Sequence, residues 1–118
     1  MKIMLPLDEN KVDVCIAFGR APMFLLHDTK TNETEYLVNP AAQSQGGAGI
    51  QAAQFIVDQK ADVLITVRCG ENAAEVLDAA GIPIYKTTKE KAVDNVTALE
   101  KKELNLLTEI HAGFHGAH

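Results

Sequence analysis

The sequence contains no run of apolar residues that approaches the ~20 residues needed to cross a membrane as a helix. The N-terminal apolar stretch, residues 1–7, is also too short for the core of a secretory signal. We therefore expect a cytoplasmic protein without a membrane partner. The length of 118 residues fits one domain with a sizeable core.

The sequence also lacks an excess of basic residues. It carries 11 Lys and Arg against 16 Asp and Glu, which gives a net charge of −5. The acidic residues are spread evenly along the chain, and neither an acidic tail nor a basic patch is present. A general nucleic-acid binder needs many Lys and Arg side chains to neutralise phosphates, so we expect no nucleic-acid partner.

Cysteine is scarce, and the two that the chain contains are Cys15 and Cys69. In a reducing cytoplasm a disulfide between them is not the default. Two interpretations of each cysteine stay open. It is either a thiolate ligand in a metal site or a small apolar residue of the core.

The apolar pattern predicts five strands, which cover residues 2–7, 23–27, 34–38, 63–67 and 82–85. A helix follows each of the last three strands, so the element order is β-β-β-α-β-α-β-α. A hairpin followed by alternating strands and helices predicts an α/β protein with a mixed sheet flanked by helices. The right-handed crossover rule makes strands one and four neighbours, which gives the order 3-2-1-4-5 with strand two antiparallel.

Capping patterns and apolar stripes predict where the helices begin. The first helix follows the glycine-rich residues 46–49, and its apolar stripe includes Ile50. Asn72 and Thr87, each with a Glu three residues later, are spaced as capping boxes for the second and third helices. The third helix is expected to bury a stripe that includes Val93.

The C-terminal part of the chain has a different pattern. Leucines at positions 104, 106 and 107, together with Ile110, predict one more short helix. We expect a single domain over residues 1–110 and a flexible, histidine-containing tail over residues 111–118.

This topology brings several loops to the carboxyl ends of strands one and four, where open α/β sheets bind ligands. Two helix N-termini present free N–H groups there, and two arginines add full positive charge. We predict a local anion site. Its candidate residues are Arg20, Gly47, Ala48, Gly49, Arg68, Cys69 and Asn72, with Cys15 as a further metal ligand. The alternative is that the arginines are ordinary exposed charges and that the glycines only allow close packing.

Other patterns in the chain lack the context that their chemistry needs. Residues 47–52 match a dinucleotide-binding fingerprint, but no strand precedes them directly. The fingerprint also needs an acidic residue at the end of the next strand, where this chain has Arg68. Asp8, Asp13 and Asp28 resemble nuclease carboxylates, but Asp8 and Asp28 fall at opposite ends of the predicted sheet. The C-terminal histidines are either metal ligands or incidental; they are His111, His115 and His118.

Three segments together resemble the dinitrogenase iron-molybdenum cofactor biosynthesis family. They are residues 18–24 (FGRAPMF), 47–54 (GAGIQAAQ) and 70–82 (GENAAEVLDAAGI). The resemblance extends over roughly residues 1–104, in the same order. It implies a ribonuclease-H-like fold and a non-enzymatic role, the binding or carrying of an iron–sulfur or molybdenum-containing cluster during cofactor assembly. Such clusters are anionic, which suits the predicted site.

The resemblance also suggests roles for the candidate residues. The arginines would neutralise the cluster, backbone N–H groups of residues 47–49 would hydrogen-bond to it, and Cys69 would ligate a metal. The chain departs from the family pattern at two places. It has Gly46 and Gly47 where some relatives carry a histidine, and Glu71 where relatives commonly have proline. Glu71 places a negative charge at a helix N-terminus.

Two further functions remain as alternatives. The chain can be an interaction module for another assembly protein, using the edge of the third strand and Tyr36 to pair with that protein or with a copy of itself. It can also be a divalent-metal nuclease, although the carboxylate cluster for two-metal chemistry is missing. The expected oligomeric state is a monomer or a homodimer.

Overall fold

Five strands form one mixed sheet with the order β3-β2-β1-β4-β5. The structure, a computed structural model, describes residues 1–108. The elements in chain order are β1 (Lys2–Leu7), β2 (Met23–Asp28), β3 (Glu33–Val38), α1 (Ala48–Asp58), β4 (Val63–Thr66), α2 (Glu71–Ala79), β5 (Ile84–Lys86) and α3 (Ala92–Glu100). Among these residues, no helix is long and apolar enough to cross a membrane.

The central strand of the sheet is β1. It pairs antiparallel with β2 and parallel with β4, and β5 extends the sheet in parallel with β4. At the other edge, β3 pairs antiparallel with β2. The predicted α/β class, the strand order and the antiparallel second strand are confirmed. The topology is compatible with the ribonuclease-H-like fold that the family resemblance implies.

Different helices cover the two faces of the sheet. Met4 and Leu64 belong to a core that includes the buried residues of α1 and α2. Ile3, on the opposite face of β1, packs in a second core with Val96 and Leu99 of α3. Because side chains alternate between faces along a strand, β1 is buried on both sides, which explains its continuous apolar sequence.

The start of α2 differs from the prediction. The helix begins at Glu71 after Gly70, and no side chain caps it, so the capping box predicted at Asn72 is wrong. Gly70 occupies the N-cap position with an extended backbone, φ −73° and ψ 158°. The first turn of α2 is therefore left without a side-chain acceptor.

The capping box predicted for α3 is also wrong, since no side chain caps that helix at Thr87 or elsewhere. A buried residue inside the helix organises the preceding loop instead. The Asn95 side-chain oxygen accepts the N–H groups of Thr88 at 3.0 Å and Lys89 at 3.2 Å. Val93, which was expected in the buried stripe, is 56% exposed.

The helix predicted around the C-terminal leucines does not form over the described residues. Leu106 makes an antiparallel bridge with Tyr85, and the Leu107 N–H donates to the Ile84 carbonyl at 2.8 Å. This segment therefore runs along the open edge of β5. Ile110 and the tail lie outside the described residues, and the domain limits of 1–110 and 111–118 stay a prediction.

Candidate functional site

A cleft of about 700 Å³ lies where the carboxyl end of β4 meets the N-termini of α1 and α2. Three chain segments line it, which are residues 17–20, 47–50 and 68–73. The candidates Arg20, Gly47, Ala48, Gly49, Arg68, Cys69 and Asn72 all belong to this lining, whereas Cys15 does not. The parallel pairing of β1 with β4 and the crossover through α1 bring these segments together.

The first turn of α1 presents free backbone donors to the cleft. Gly47 precedes the helix with φ +68°, a left-handed conformation that glycine adopts without strain. The first helical hydrogen bond runs from the Gln51 N–H to the Gly47 carbonyl at 3.0 Å. Within residues 1–108, the N–H groups of Ala48, Gly49 and Ile50 have no acceptor. They carry the partial positive charge of the helix N-terminus.

The first turn of α2 adds donors from the other side of the cleft. Its first helical hydrogen bond runs from the Ala74 N–H to the Gly70 carbonyl at 2.9 Å. The N–H groups of Asn72 and Ala73 have no acceptor in the described part of the chain. Two helix N-termini thus face one cleft, an arrangement that favours anions. The exposed Glu71 in the same turn opposes this effect with one negative charge.

Two arginines supply full positive charge to the lining. Arg20 lies in the connector between β1 and β2, and Arg68 follows β4; both are exposed. The Arg20 guanidinium donates through Nη1 to the Ser44 carbonyl, which leaves its other donors available. The cleft lining thus carries two positive side chains and one negative one, in a protein whose net charge is −5.

The connector that carries Arg20 packs directly onto α1. A Cβ atom at Gly19 would lie 2.7 Å from the Gly49 nitrogen and 2.9 Å from the Gly49 Cα. Any side chain at position 19 would therefore push the two backbones apart. On the other side, a Cβ atom at Gly49 would meet the Ala73 Cβ at 3.7 Å, an ordinary contact. Small residues thus let three chain segments converge on the cleft.

The cysteines are both buried. Cys69 is 1% exposed, and burial raises the pKa of its thiol to about 11. Burial also raises the pKa of the Cys15 thiol, with a smaller contribution from a hydrogen bond to the Asp8 carboxylate. The Cys15 N–H donates to the Pro6 carbonyl at 2.9 Å, which places this residue against β1, and Cys15 does not line the cleft. Burial therefore favours the neutral form of both thiols.

Side chains do not form a metal centre in the described part of the chain. Residues 1–108 contain no group of three or more His, Cys, Asp or Glu side chains arranged to hold a metal ion. Asp28 pairs with Lys2 at the start of β1, whereas Asp8 follows the end of that strand, so these carboxylates lie at opposite ends of the sheet. The metal-binding role predicted for His111, His115 and His118 lies outside the described residues.

Sequence reasoning missed several contributors to the cleft. Ile50 was expected in the buried stripe of α1 but is 44% exposed and lines the cleft. Phe18 anchors the Arg20 connector through an edge-on contact with Phe24, at 5.8 Å between ring centroids. Asn39 hydrogen-bonds to this connector, although the sequence indicates only a strand end at that position. No local signal marks these contacts, because their partners are distant in the chain.

Fold and cleft together define a small α/β protein with a positively charged cleft at the carboxyl edge of a mixed sheet. The chain belongs to the dinitrogenase iron-molybdenum cofactor family, whose pattern it matches over residues 1–102. The family resemblance is thereby confirmed. No curated protein matches the sequence.

Solved structures support the same assignment. The apo form of the orange protein from Desulfovibrio gigas is 29% identical, with 91% of this chain and 92% of that chain covered and a TM-score of 0.83. A candidate NifB protein from Thermotoga is 26% identical, with 95% of this chain and 97% of that chain covered and a TM-score of 0.77. A candidate dinitrogenase from Methanocaldococcus jannaschii, at 18% identity, 92% and 96% coverage and a TM-score of 0.69, shares the fold.

Proposed function

We propose that the protein binds an anionic metal–sulfur cluster, of the iron–sulfur or molybdenum-containing type, and carries it as cargo in metallocofactor assembly. The observation that carries this proposal is the convergence of two helix N-termini with Arg20 and Arg68 on one cleft. In this role the protein is a carrier and not an enzyme. Its other partner is an assembly protein that delivers or receives the cluster, and its place of action is the cytoplasm.

The lining suits a cluster whose outer atoms are sulfur. Backbone N–H groups of Ala48, Gly49 and Asn72 donate hydrogen bonds to sulfur, and the guanidinium groups of Arg20 and Arg68 neutralise its charge. The donors are fixed by the helices before the cluster arrives, so little ordering is required on binding.

The buried thiol bears on how such a cluster is held. A metal–thiolate bond to Cys69 requires loss of a proton from a group whose pKa is raised to about 11. Hydrogen bonds and charge require no such step, and they let the cargo leave without breaking a bond between metal and protein. We therefore propose that the arginines and the helix N-termini carry the affinity. The ligand role of Cys69 stays a prediction that a variant can test.

The family membership supports this proposal. The family description names the iron-molybdenum cofactor of dinitrogenase, and the D. gigas relative was solved in an apo form, the form that lacks a bound group. We transfer to this chain the class of cargo, a metal cluster.

Anaerobic reconstitution tests the proposal. Protein incubated with iron, sulfide and molybdate, then separated from unbound reagents, is expected to retain metal and sulfide and to show a visible chromophore. Cys69→Ala is expected to retain them as well, because a neutral buried thiol and a methyl group make similar core contacts. Protein that elutes without metal, sulfide or chromophore would refute cluster binding. Loss of the chromophore in Cys69→Ala alone would instead assign ligation to the thiolate.

The edge of the sheet favours a second candidate function, an interaction module. β3 is the edge strand, and its residues Tyr36 and Val38 are 48% and 76% exposed. An exposed edge strand can pair with a strand of a second copy or of an assembly protein. A dimer by light scattering, together with no cluster uptake, would favour this function over cluster carrying.

A further inference from the structure

We propose that Asn39 is the positioning residue that fixes Arg20 at the cleft. This inference rests on the proposed function, because it assigns a role in anion binding to a residue outside the lining. Arg20 lies in the connector between β1 and β2, which contains no helix or strand. Something outside the connector must therefore set the direction of the arginine.

The Asn39 side chain binds the carbonyl groups of the two residues that flank Arg20. Asn39 is 2% exposed at the end of β3, and its Nδ2 donates to the Gly19 carbonyl at 3.0 Å and the Ala21 carbonyl at 2.9 Å. Its Oδ1 accepts the Ala41 N–H at 3.0 Å. The hydrogen-bonding capacity of one amide is thus used to join the Arg20 connector to the segment that leads into α1.

The segment between β3 and α1 also holds the guanidinium group of Arg20. The guanidinium donates to the Ser44 carbonyl, five residues beyond Asn39 in the chain. The Ser44 hydroxyl in turn donates to the Gly46 carbonyl and accepts from Gln51 of α1 at 3.0 Å. Asn39 thus fixes the backbone on both sides of Arg20. Ser44, in the loop before α1, holds the guanidinium group near the N-terminus of that helix.

This role requires the amide specifically. Asn supplies two donors and an acceptor, whereas ionised Asp has the same size and supplies acceptors only. Asn39→Asp would therefore place a carboxylate oxygen against two carbonyl oxygens and release the connector. Asn39→Ser adds no charge, and its hydroxyl donates one hydrogen bond where the amide donates two.

Asn95 provides a matched control. It is 0% exposed, and its Nδ2 donates to the carbonyls of Lys89 at 2.9 Å and Lys91 at 3.0 Å. Its Oδ1 accepts two backbone N–H groups of the loop before α3. The same chemistry is therefore present on the opposite face of the sheet, away from the cleft lining. Asn95→Asp removes the two hydrogen bonds that this amide donates to the loop before α3.

The test is a double-mutant cycle under anaerobic conditions with tetrathiomolybdate as the probe, a soluble anion of molybdenum and sulfur. Asn39→Asp is expected to lower the affinity about tenfold, as loss of a well-placed charged hydrogen-bond donor would. In the Arg20→Ala background, Asn39→Asp is expected to lower the affinity by less than about twofold, because Asn39 acts through Arg20. Asn95→Asp is expected to lower the urea midpoint of unfolding as much as Asn39→Asp does, but to leave the affinity for tetrathiomolybdate unchanged.

Two results would overturn the proposal. One is an Asn39→Asp effect that is just as large without Arg20, and the other is an equal loss of affinity in Asn95→Asp. If Asn39→Asp does not fold, Asn39→Ser takes its place in the same cycle and is read by the same criteria. Failure of the unaltered protein to bind the probe would refute the proposed function itself, before any variant is compared.

Discussion

Replacing Arg20 and Arg68 together by alanine is expected to lower the affinity for tetrathiomolybdate by about hundredfold or more. Each guanidinium makes charge-assisted hydrogen bonds to a bound anion, and about 1.5–3 kcal/mol per arginine corresponds to at least tenfold in affinity. The effect is large because the rest of the protein is acidic, with a net charge of −5. Without the two arginines, Glu71 is the one charged side chain left in the described lining of the cleft.

Titration at several salt concentrations measures this effect and its electrostatic origin. Binding to the unaltered protein is expected to weaken as salt is raised, and the dependence is expected to be smaller in the double variant. Lys30→Ala with Lys101→Ala is the control, since it makes the same change in net charge at exposed sites outside the cleft. Equal affinity of the arginine variant and the lysine variant would contradict a cleft-specific role for the arginines.

Gly19→Ala is expected to lower the free energy of unfolding by about 3 kcal/mol, at the upper end of the cost of forcing an extra methyl group into a packed site. The added Cβ would lie 2.7 Å from the Gly49 nitrogen, 2.9 Å from the Gly49 Cα and 3.0 Å from the Ala48 carbonyl carbon, and these three backbone atoms cannot rotate away. The Arg20 connector must then move off α1. Urea denaturation monitored by circular dichroism measures the loss.

Gly46→Ala is the control for this substitution. A Cβ atom at Gly46 would meet nothing within 4 Å, and its φ lies outside the left-handed region. This variant is expected to keep its stability or to gain up to about 1 kcal/mol from reduced freedom of the unfolded chain. Equal stability of Gly19→Ala and Gly46→Ala would show that the close approach of the connector to α1 does not exist in solution.

The sheet can be predicted from the sequence because its signals are local or follow a general rule. The apolar run in β4, the turn between β2 and β3 and the glycines before α1 each mark an element boundary directly. The right-handed crossover then fixes the strand order. Placement of Arg20, Arg68 and Cys69 at one edge follows from that order alone, so their shared position can be predicted without knowledge of their contacts.

The helix starts and the C-terminal segment could not be predicted, because tertiary contacts decide them. Thr87 has the spacing of a cap, but the buried amide of Asn95 holds the neighbouring backbone and α3 begins later. The leucines after α3 fit a helix as well as an edge strand, and the open side of β5 selects the strand-like form. Gly19 lies in a segment that resembles the family, but the reason for glycine there is contact with Gly49.

In the proposed function, an anionic metal–sulfur species binds between the N-termini of α1 and α2. Titration of ¹⁵N-labelled protein with tetrathiomolybdate, followed by amide NMR under anaerobic conditions, tests it most directly. We expect saturable shifts of the free N–H groups of Ala48, Gly49, Ile50, Asn72 and Ala73, with little change at Lys30 or in α3. Absence of saturable shifts at these amides, or larger shifts elsewhere in the protein, would contradict it.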